Sequence, residues 1–479
     1  VGQPGNLGLM ETTLSLTIIW VGIAPSIIYL GKISAESRIF PLMSLTGLFY
    51  AVFFGLSGLL AFSLKGTGSP GSDAEKIFFY QTVSIEAVSI EAQLIVLTGM
   101  LLMFVTWVIA WKIFPERKFI FCLPIPECQR GLILAGLILA LGSIVYYLFP
   151  SVRLIPSIGQ FLQPAGYVAF SLFYLMYASK ELPRLFILIY FLCLLPLWVT
   201  TIIATGFFTP LIMIVIIWIA LRLVMIGNLP LKLIVSALIL FAVLYSQKHL
   251  IRHQIWDVKA TASTFEKVSA AVKILPDLFF DNSPKAIESG GSIFSGHFNH
   301  VELVRRISLI LTLSHVVNLS PNVIPYWNGT TYQTLFSGMI PRALWREKPE
   351  ERWGNAFGLR YRIIAKSDGA MSVNIPWLTE LYTNFGWRGV IFGMILIGAF
   401  MGLLDRFFNA ENTSITGKAV AAGLVLPLFY QESNFTVMTG SLIPQMLTMW
   451  LYFTVFMGGS TFLILKLRGI KSSYPKSEI

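Results

Sequence analysis

The chain has 479 residues, 55% of them hydrophobic and 12% charged, with a mean hydropathy of +0.73 and a formal net charge of +11. A soluble domain is about one quarter charged, so this composition excludes an ordinary soluble globular protein. On a soluble chain the positive balance would point to nucleic acid; here membrane topology accounts for it, and no nucleic-acid partner is expected.

An α-helix rises about 1.5 Å per residue, so roughly 20 apolar residues cross the hydrocarbon core. Eleven windows read as spans: 12–30, 40–64, 93–111, 131–148, 161–178, 184–204, 207–225, 229–247, 387–404, 417–431 and 443–465. The first lacks a basic flank and follows Glu11, so it is expected to stay as a span and not to leave as a signal peptide. The predicted fold class is an all-α polytopic membrane protein with about eleven transmembrane helices and a large outer loop containing amphipathic helices. The predicted division is 1–247 with eight spans, 248–385 as the loop, 386–466 with three spans, and a tail from 467 to 479.

Lys and Arg set the orientation. With the N-terminus outside, the inner connections hold 16 Lys/Arg, among them Lys32, Arg117, Lys118 and Arg222, and the short outer connections hold 3: Lys65, Lys76 and Arg153. Cytoplasmic loops carry that excess, so the N-terminus and the 248–385 loop face outward and the C-terminus faces the cytoplasm. Cys122 and Cys128 fall on an inner connection and Cys193 within a span, which argues against a structural disulfide.

The outer loop carries the polar chemistry. All five histidines lie between 249 and 315. Within 263–275, Phe265, Val268, Val272 and Leu275 recur at helical spacing before Pro276, which predicts a helix on the membrane surface. Residues 282–299 are rich in Gly, Ser, Pro and Asn and read as a loop. Over 300–317 the chain is apolar nearly all round, yet Glu302, Arg305, Ser308, Thr312 and His315 fall at steps of three and four and share one face. A polar stripe on an apolar helix is expected to meet a wet cavity or a charged partner. From 320 to 385 the chain is rich in Pro, Gly, Trp, Tyr and Arg without periodicity, as irregular structure folded over the spans would be.

Three residue types there suit a charged lipid-linked ligand. Guanidinium binds phosphate as a bidentate fork, which makes Arg305 and Arg342 the leading candidates and Arg306, Arg346 and Lys348 assistants. Tyr326, Trp327, Tyr332 and Tyr382 belong either to a membrane-interface belt of amphipathic rings or to a ligand site, where they would offer flat faces and hydroxyls. His300, His315, Glu302, Glu380 and Glu432 are the candidate bases. His297 and His300 are three apart, weak spacing for zinc, and no metal or other cofactor is expected.

Three stretches then resemble a known family: Tyr326-Trp327-Asn328-Gly329-Thr330-Thr331-Tyr332, the run Ile340-Pro341-Arg342-Ala343-Leu344-Trp345-Arg346-Glu347-Lys348-Pro349, and Glu380-Leu381-Tyr382-Thr383-Asn384-Phe385-Gly386 entering an apolar span. They are similar to the Wzy-type oligosaccharide repeat-unit polymerases, with their Pro-Arg-x-Leu-Trp-x-x-Lys-Pro stretch followed by Glu-x-Tyr-x-Asn-Phe-Gly. Where that family often has Trp-Pro-Asp-Lys-Pro, this chain reads Trp345-Arg346-Glu347-Lys348-Pro349, which leaves the role of Arg346 open. The resemblance implies a metal-independent, GT-C-like glycosyltransferase of the bacterial inner membrane, working at its periplasmic face. It implies an undecaprenyl-pyrophosphate-linked oligosaccharide as substrate, with a flippase and a chain-length regulator as partners. The product would be O-antigen, capsule or exopolysaccharide. Arg342, Lys348, Glu380 and Tyr382 are the motif positions that carry over.

Pyrophosphate is already a good leaving group, so the reaction needs charge stabilisation and a base. On the residues alone, Arg305 and Arg342 would hold the donor pyrophosphate and His300 or Glu380 would deprotonate the acceptor hydroxyl. An O-antigen ligase, with a lipid A–core acceptor, shares this architecture. A polyprenyl-phosphate-sugar transferase fits less well, because the first outer loop offers only Glu86 and Glu91, five apart. An exosortase-like protease would need an outward cysteine. A transporter would favour paired halves and broken helices, and no internal repeat is legible.

Overall fold

The computed structural model describes residues 4–32, 40–63, 88–114, 126–207, 209–228, 307–349, 351–367, 371–409 and 413–467, with a few isolated positions besides. Among these the only regular secondary structure is helix, with no strand. Eight helices are long and apolar enough to cross a membrane, so the chain is a multi-pass membrane protein by its apolar helices.

The spans follow the predicted windows closely. They are α1 (Pro4–Lys32), α2 (Leu42–Ala61), α3 (Ile90–Ile113), α4 (Gln129–Leu148), α6 (Arg184–Ile203), α7 (Thr209–Ile226), α11 (Trp377–Phe408) and the last helix, α14 (Leu442–Leu467), which with the turn α13 (Phe435–Thr439) covers the eighth. The window at 161–178 forms α5 (Ile158–Ala178), which is helical throughout but less apolar, with Gln160, Gln163 and Pro164 in its first turns. The window at 417–431 forms α12 (Ile415–Phe429), a short composite in which a π-helical turn at Ala421–Val425 gives way to a 3-10 turn at Leu426–Phe429 containing Pro427. The window at 229–247, the surface helix over 263–275 (apart from a few positions) and the loop at 282–299 lie outside the described residues.

Two packing centres organise the bundle. α11 lies along α3, α1 also packs on α3, and α2 packs on α1. Close approach there rests on small residues: a Cβ on Gly402 would come within 2.7 Å of the Trp107 carbonyl and 3.0 Å of the Ala110 Cβ. The same interface buries one acid. Trp107 Nε1 donates to Asp405 Oδ2 at 3.1 Å and Asn409 Nδ2 to Asp405 Oδ1 at 2.6 Å, while Phe40 N donates to Asn409 Oδ1 at 2.6 Å. A buried carboxylate in an apolar bundle is costly unless satisfied; both oxygens of this one are, and it ties α3 to the end of α11, with Asn409 carrying the link to Phe40 before α2. The second centre is α5, which packs against α4, α7 and α12, with α14 against α4.

The connection after residue 307 sits at one end of this bundle. It contributes α8 (Leu309–Leu319), α9 (Leu335–Met339) and α10 (Trp353–Arg360). α8 is wedged against α3 and α11, burying Leu309, Ile310, Leu311, Leu313, Val316 and Val317. α11 begins at Trp377, within the 248–385 segment, and its apolar run follows a break at Gly386.

Candidate functional site

The early start of α11 builds the site. At Gly386 the backbone turns to φ +61°, ψ −147°, and the helix is interrupted. A left-handed φ is readily adopted only by glycine, and a Cβ here would also lie 2.5 Å from the Tyr326 hydroxyl. The interruption strips carbonyls upstream of their i+4 donors. The Tyr326–Tyr332 stretch supplies replacements: Trp327 N donates to the Thr383 carbonyl at 3.1 Å and Asn328 N to the Asn384 carbonyl at 3.0 Å. The Asn384 side chain completes the clamp. Its Oδ1 accepts from Gly329 N at 3.0 Å, and its Nδ2 donates to the Glu380 carbonyl at 2.8 Å and to Thr331 Oγ1 at 2.9 Å. Rings close over the bonds, with Tyr332 stacked on Phe385 at 6.3 Å and Tyr326 edge-on to Tyr382 at 6.0 Å. Two of the three motif stretches thus form one unit.

Glu380 lies at the centre of that unit, fully buried. Its Oε2 accepts the backbone N–H of Phe435 at 2.7 Å, and Thr331 lies beside the carboxyl, while Oε1 is left without a hydrogen-bond partner. The backbone N–H of Trp377, at the start of the same helix, donates to the carbonyl of Gln431, whose Oε1 accepts from the Tyr50 hydroxyl at 2.8 Å. Glu432, next to it, is half-buried.

Beside this unit runs a groove of about 1000 Å³. Tyr326, Asn328, Tyr332, Trp387 and Arg388 line its polar part, and Phe392, Leu396 and Phe400 continue it along α11. Phe392 and Leu396 are 67% and 69% exposed, on the surface a bilayer would cover. Trp387 is held by its Nε1, which donates to Glu91 Oε1 at 2.9 Å. Arg388 is exposed and its guanidinium has no partner among the described residues. Phe435 lines the groove while its N–H caps Glu380, so Glu380 stands one layer behind the wall. Burial, and then the Glu380 charge, holds the Tyr332 phenol well above its ordinary pKa, so it stays protonated and can donate into the groove.

The Pro341–Pro349 motif forms a turn of its own. The Arg342 guanidinium turns to its own loop, Nη1 donating to the Arg346 carbonyl at 3.4 Å and Nη2 to the Pro349 carbonyl at 3.5 Å. Lys348 Nζ donates to the carbonyls of Gly338 and Ile340, both at 3.3 Å. Arg346 is exposed. None of the three lines the groove. Lys348 is linked to the Glu380 unit through Glu351 and Thr334. Burial pushes the Lys348 ammonium pKa down, with Glu351 opposing and Arg342 adding to it; burial pushes the Glu351 carboxyl up, opposed by Thr334 and Lys348.

Of the polar stripe, His315 on α8 meets the loop. His315 Nε2 lies 2.9 Å from the Tyr361 carbonyl, which can only accept, so Nε2 carries the proton. The Tyr361 hydroxyl bonds Ser320 Oγ at 2.7 Å. Arg360 likewise serves packing, over the Trp327 ring at 5.5 Å with Nη2 donating to the Pro325 carbonyl at 2.6 Å. His300, Glu302, Arg305 and Arg306 lie outside the described residues. Sequence reasoning passed over Arg388 as a site residue and gave Asn384 no role. The available signal was the glycine at 386 between two helical patterns, since a helix broken there must expose a carbonyl row.

A family model described as a domain of unknown function, DUF8712, matches residues 41–464. No curated protein and no solved structure matches the chain.

Proposed function

The chain belongs to the DUF8712 family, and we propose that it is a Wzy-type polymerase, a GT-C-like glycosyltransferase that joins undecaprenyl-pyrophosphate-linked oligosaccharide repeat units. In this reading the eleven predicted spans lie in a bacterial inner membrane, with the N-terminus and the site at the periplasmic face and the C-terminus in the cytoplasm. The observation that carries it is the groove beside the motif unit, whose aromatic and cationic part passes directly into an apolar wall on α11. A sugar pyrophosphate on a prenyl chain has the same division.

Reaction proceeds by attack of an acceptor sugar hydroxyl on the anomeric carbon of the donor. The carbon–oxygen bond to pyrophosphate breaks, the lipid pyrophosphate leaves with the electron pair, and the hydroxyl proton passes to a base. Arg388, the cation in the groove lining, is assigned to the leaving pyrophosphate, together with Arg305. Arg342 and Lys348 make long bonds to carbonyls of their own loop, at 3.3–3.5 Å, and do not line this groove, so they are given no part in it. Glu380, sealed behind Phe435, positions the motif unit, and His300 is assigned as the base. Tyr326, Tyr332 and Asn328 are assigned to the sugar.

The test is a chain-growth assay on the purified protein in vesicles with a polyprenyl-pyrophosphate-linked oligosaccharide, resolving product length on gels. A ladder from the parent protein that collapses to single units in Arg388→Ala and His300→Ala is expected. No ladder from the parent protein overturns the proposal, and transfer of the glycan to lipid A–core alone assigns the chain to ligation.

A further inference from the structure

Four large apolar side chains stand out of one short segment of the loop: Phe336, 76% exposed, Ile340, 41%, Leu344, 81%, and Trp345, 39%. Such a patch in water would be a liability, yet the backbone beneath it is fastened. Gly338 packs on Gly440, where a Cβ would come 3.0 Å from the glycine Cα. Leu344 N and Trp345 N both donate to the Pro341 carbonyl, at 2.9 and 3.2 Å. Ala343 N donates to Ser157 Oγ at 2.9 Å. Lys348 Nζ draws in the Gly338 and Ile340 carbonyls. The four side chains are held outward by a built turn.

What surrounds the turn is lipid-facing surface. Ser157 follows Leu154, 83% exposed, and Ile155, 52%, in the connection that leaves α4. Gly440 leads into α14, where Ile443, Leu447, Leu451 and Val455 are exposed at steps of four, a stripe from 49% to 68% exposed running down one face of a span. Gln445 Nε2 donates to the Gln160 carbonyl at 2.6 Å and joins the two helices just below the turn. The patch is therefore the end of a wall that already faces hydrocarbon. Cations lie among its apolar members: Arg342 makes only the two long carbonyl bonds, and the Arg346 guanidinium has no partner among the described residues.

We infer that residues 336–346 form a membrane-surface anchor, in which Phe336, Ile340, Leu344 and Trp345 enter the interface of an anionic bilayer while Arg342 and Arg346 meet its lipid phosphates. An interfacial aromatic with flanking cations suits that depth, and anionic headgroups attract cations at the surface. The two motif arginines then fix the height of the loop above the bilayer. The inference does not rest on the proposed polymerase activity and stands or falls without it.

Depth measurement tests it. The full chain, with Cys122, Cys128 and Cys193 replaced by serine, is labelled with one nitroxide at Leu344→Cys and reconstituted in vesicles of phosphatidylethanolamine and phosphatidylglycerol. Labels at Phe392→Cys and Asn374→Cys give the lipid-facing and aqueous references, both being exposed positions. The expected ratio of oxygen to nickel-chelate accessibility at 344 is several-fold above that at 374 and close to that at 392. A ratio at 344 equal to that at 374, with 392 reading as lipid, overturns the anchor and leaves a protein partner as the occupant of the patch. Arg342→Gln combined with Arg346→Gln should lower the ratio at 344 in these vesicles and leave it unchanged in vesicles of phosphatidylcholine. An unchanged ratio in both overturns the role given to the arginines.

Discussion

The backbone N–H of Phe435 donates to Glu380 Oε2 at 2.7 Å, so the turn after α12 is pinned to the first half of α11 by a side chain with no exposure of its own. Glu380→Gln keeps an acceptor in that place, whereas Glu380→Ala leaves a buried N–H unpaired and a void beside it. The alanine variant is expected to lose about 2–4 kcal/mol, and the glutamine variant to melt close to the parent protein in detergent. Because Glu380 sits behind the groove wall, Glu380→Gln should also keep chain growth. Lost growth with an unchanged melting temperature would return Glu380 to the chemistry.

Gly386 carries two separable constraints, a φ of +61° and the Tyr326 hydroxyl 2.5 Å from where a Cβ would stand. The backbone constraint alone is worth about 1–3 kcal/mol. Gly386→Ala is expected to exceed that in the parent chain and to fall back toward it in a Tyr326→Ala background, a coupling that a double-mutant cycle on thermal stability reads directly. Equal costs in both backgrounds would remove the steric half of the argument.

Hydrophobic periodicity revealed most of the spans because a lipid-facing helix repeats its signal over twenty residues. The part of α11 before Gly386 carries no such signal, for a physical reason. Glu380, Thr383 and Asn384 look like loop residues along the chain, and their burial makes sense only once the Tyr326–Tyr332 stretch, some fifty residues away, supplies bonds to the freed carbonyls. The contacts of the cations are no more legible. Arg342 and Lys348 match a phosphate-binding pattern by type and spacing, but their nearest acceptors are carbonyls of their own turn, and local turn geometry is not written in residue type. Asn384 is the instructive case: a single amide that touches Gly329, Thr331 and Glu380 leaves no periodic trace at all.

Lys348 should titrate below the ordinary lysine value of 10.5, since burial disfavours its charged form and Arg342 adds to that, with Glu351 opposing. The unfolded chain then binds this proton more readily than the folded one, so the contribution of this group to stability rises as pH climbs toward 10.5. Competitive amine labelling of the folded protein across pH, read by mass spectrometry, is expected to give Lys348 a midpoint below 10.5. Glu351→Gln removes the opposing charge and should lower the midpoint further; Arg342→Gln removes a like charge and should raise it. Shifts of the opposite sign would mean that the three side chains do not share one electrostatic site.

Arg388 is the sharpest test of the groove, because it is exposed and bonded to nothing among the described residues, so its removal should leave folding untouched. A charge-assisted hydrogen bond to phosphate is worth about 1.5–3 kcal/mol, and 1.4 kcal/mol is a factor of ten. Arg388→Ala is therefore expected to raise the KM for the lipid-linked donor by roughly tenfold to a hundredfold. Arg388→Lys keeps the charge without the planar fork and should recover part of the loss. Leu396→Trp, on the lipid-exposed wall, narrows the groove without touching charge. It should raise KM for long-chain donors while sparing a donor whose prenyl tail is too short to reach that turn of α11. Equal KM for parent and Arg388→Ala, or a Leu396→Trp effect indifferent to tail length, would show that the lipid-linked donor does not lie along this groove.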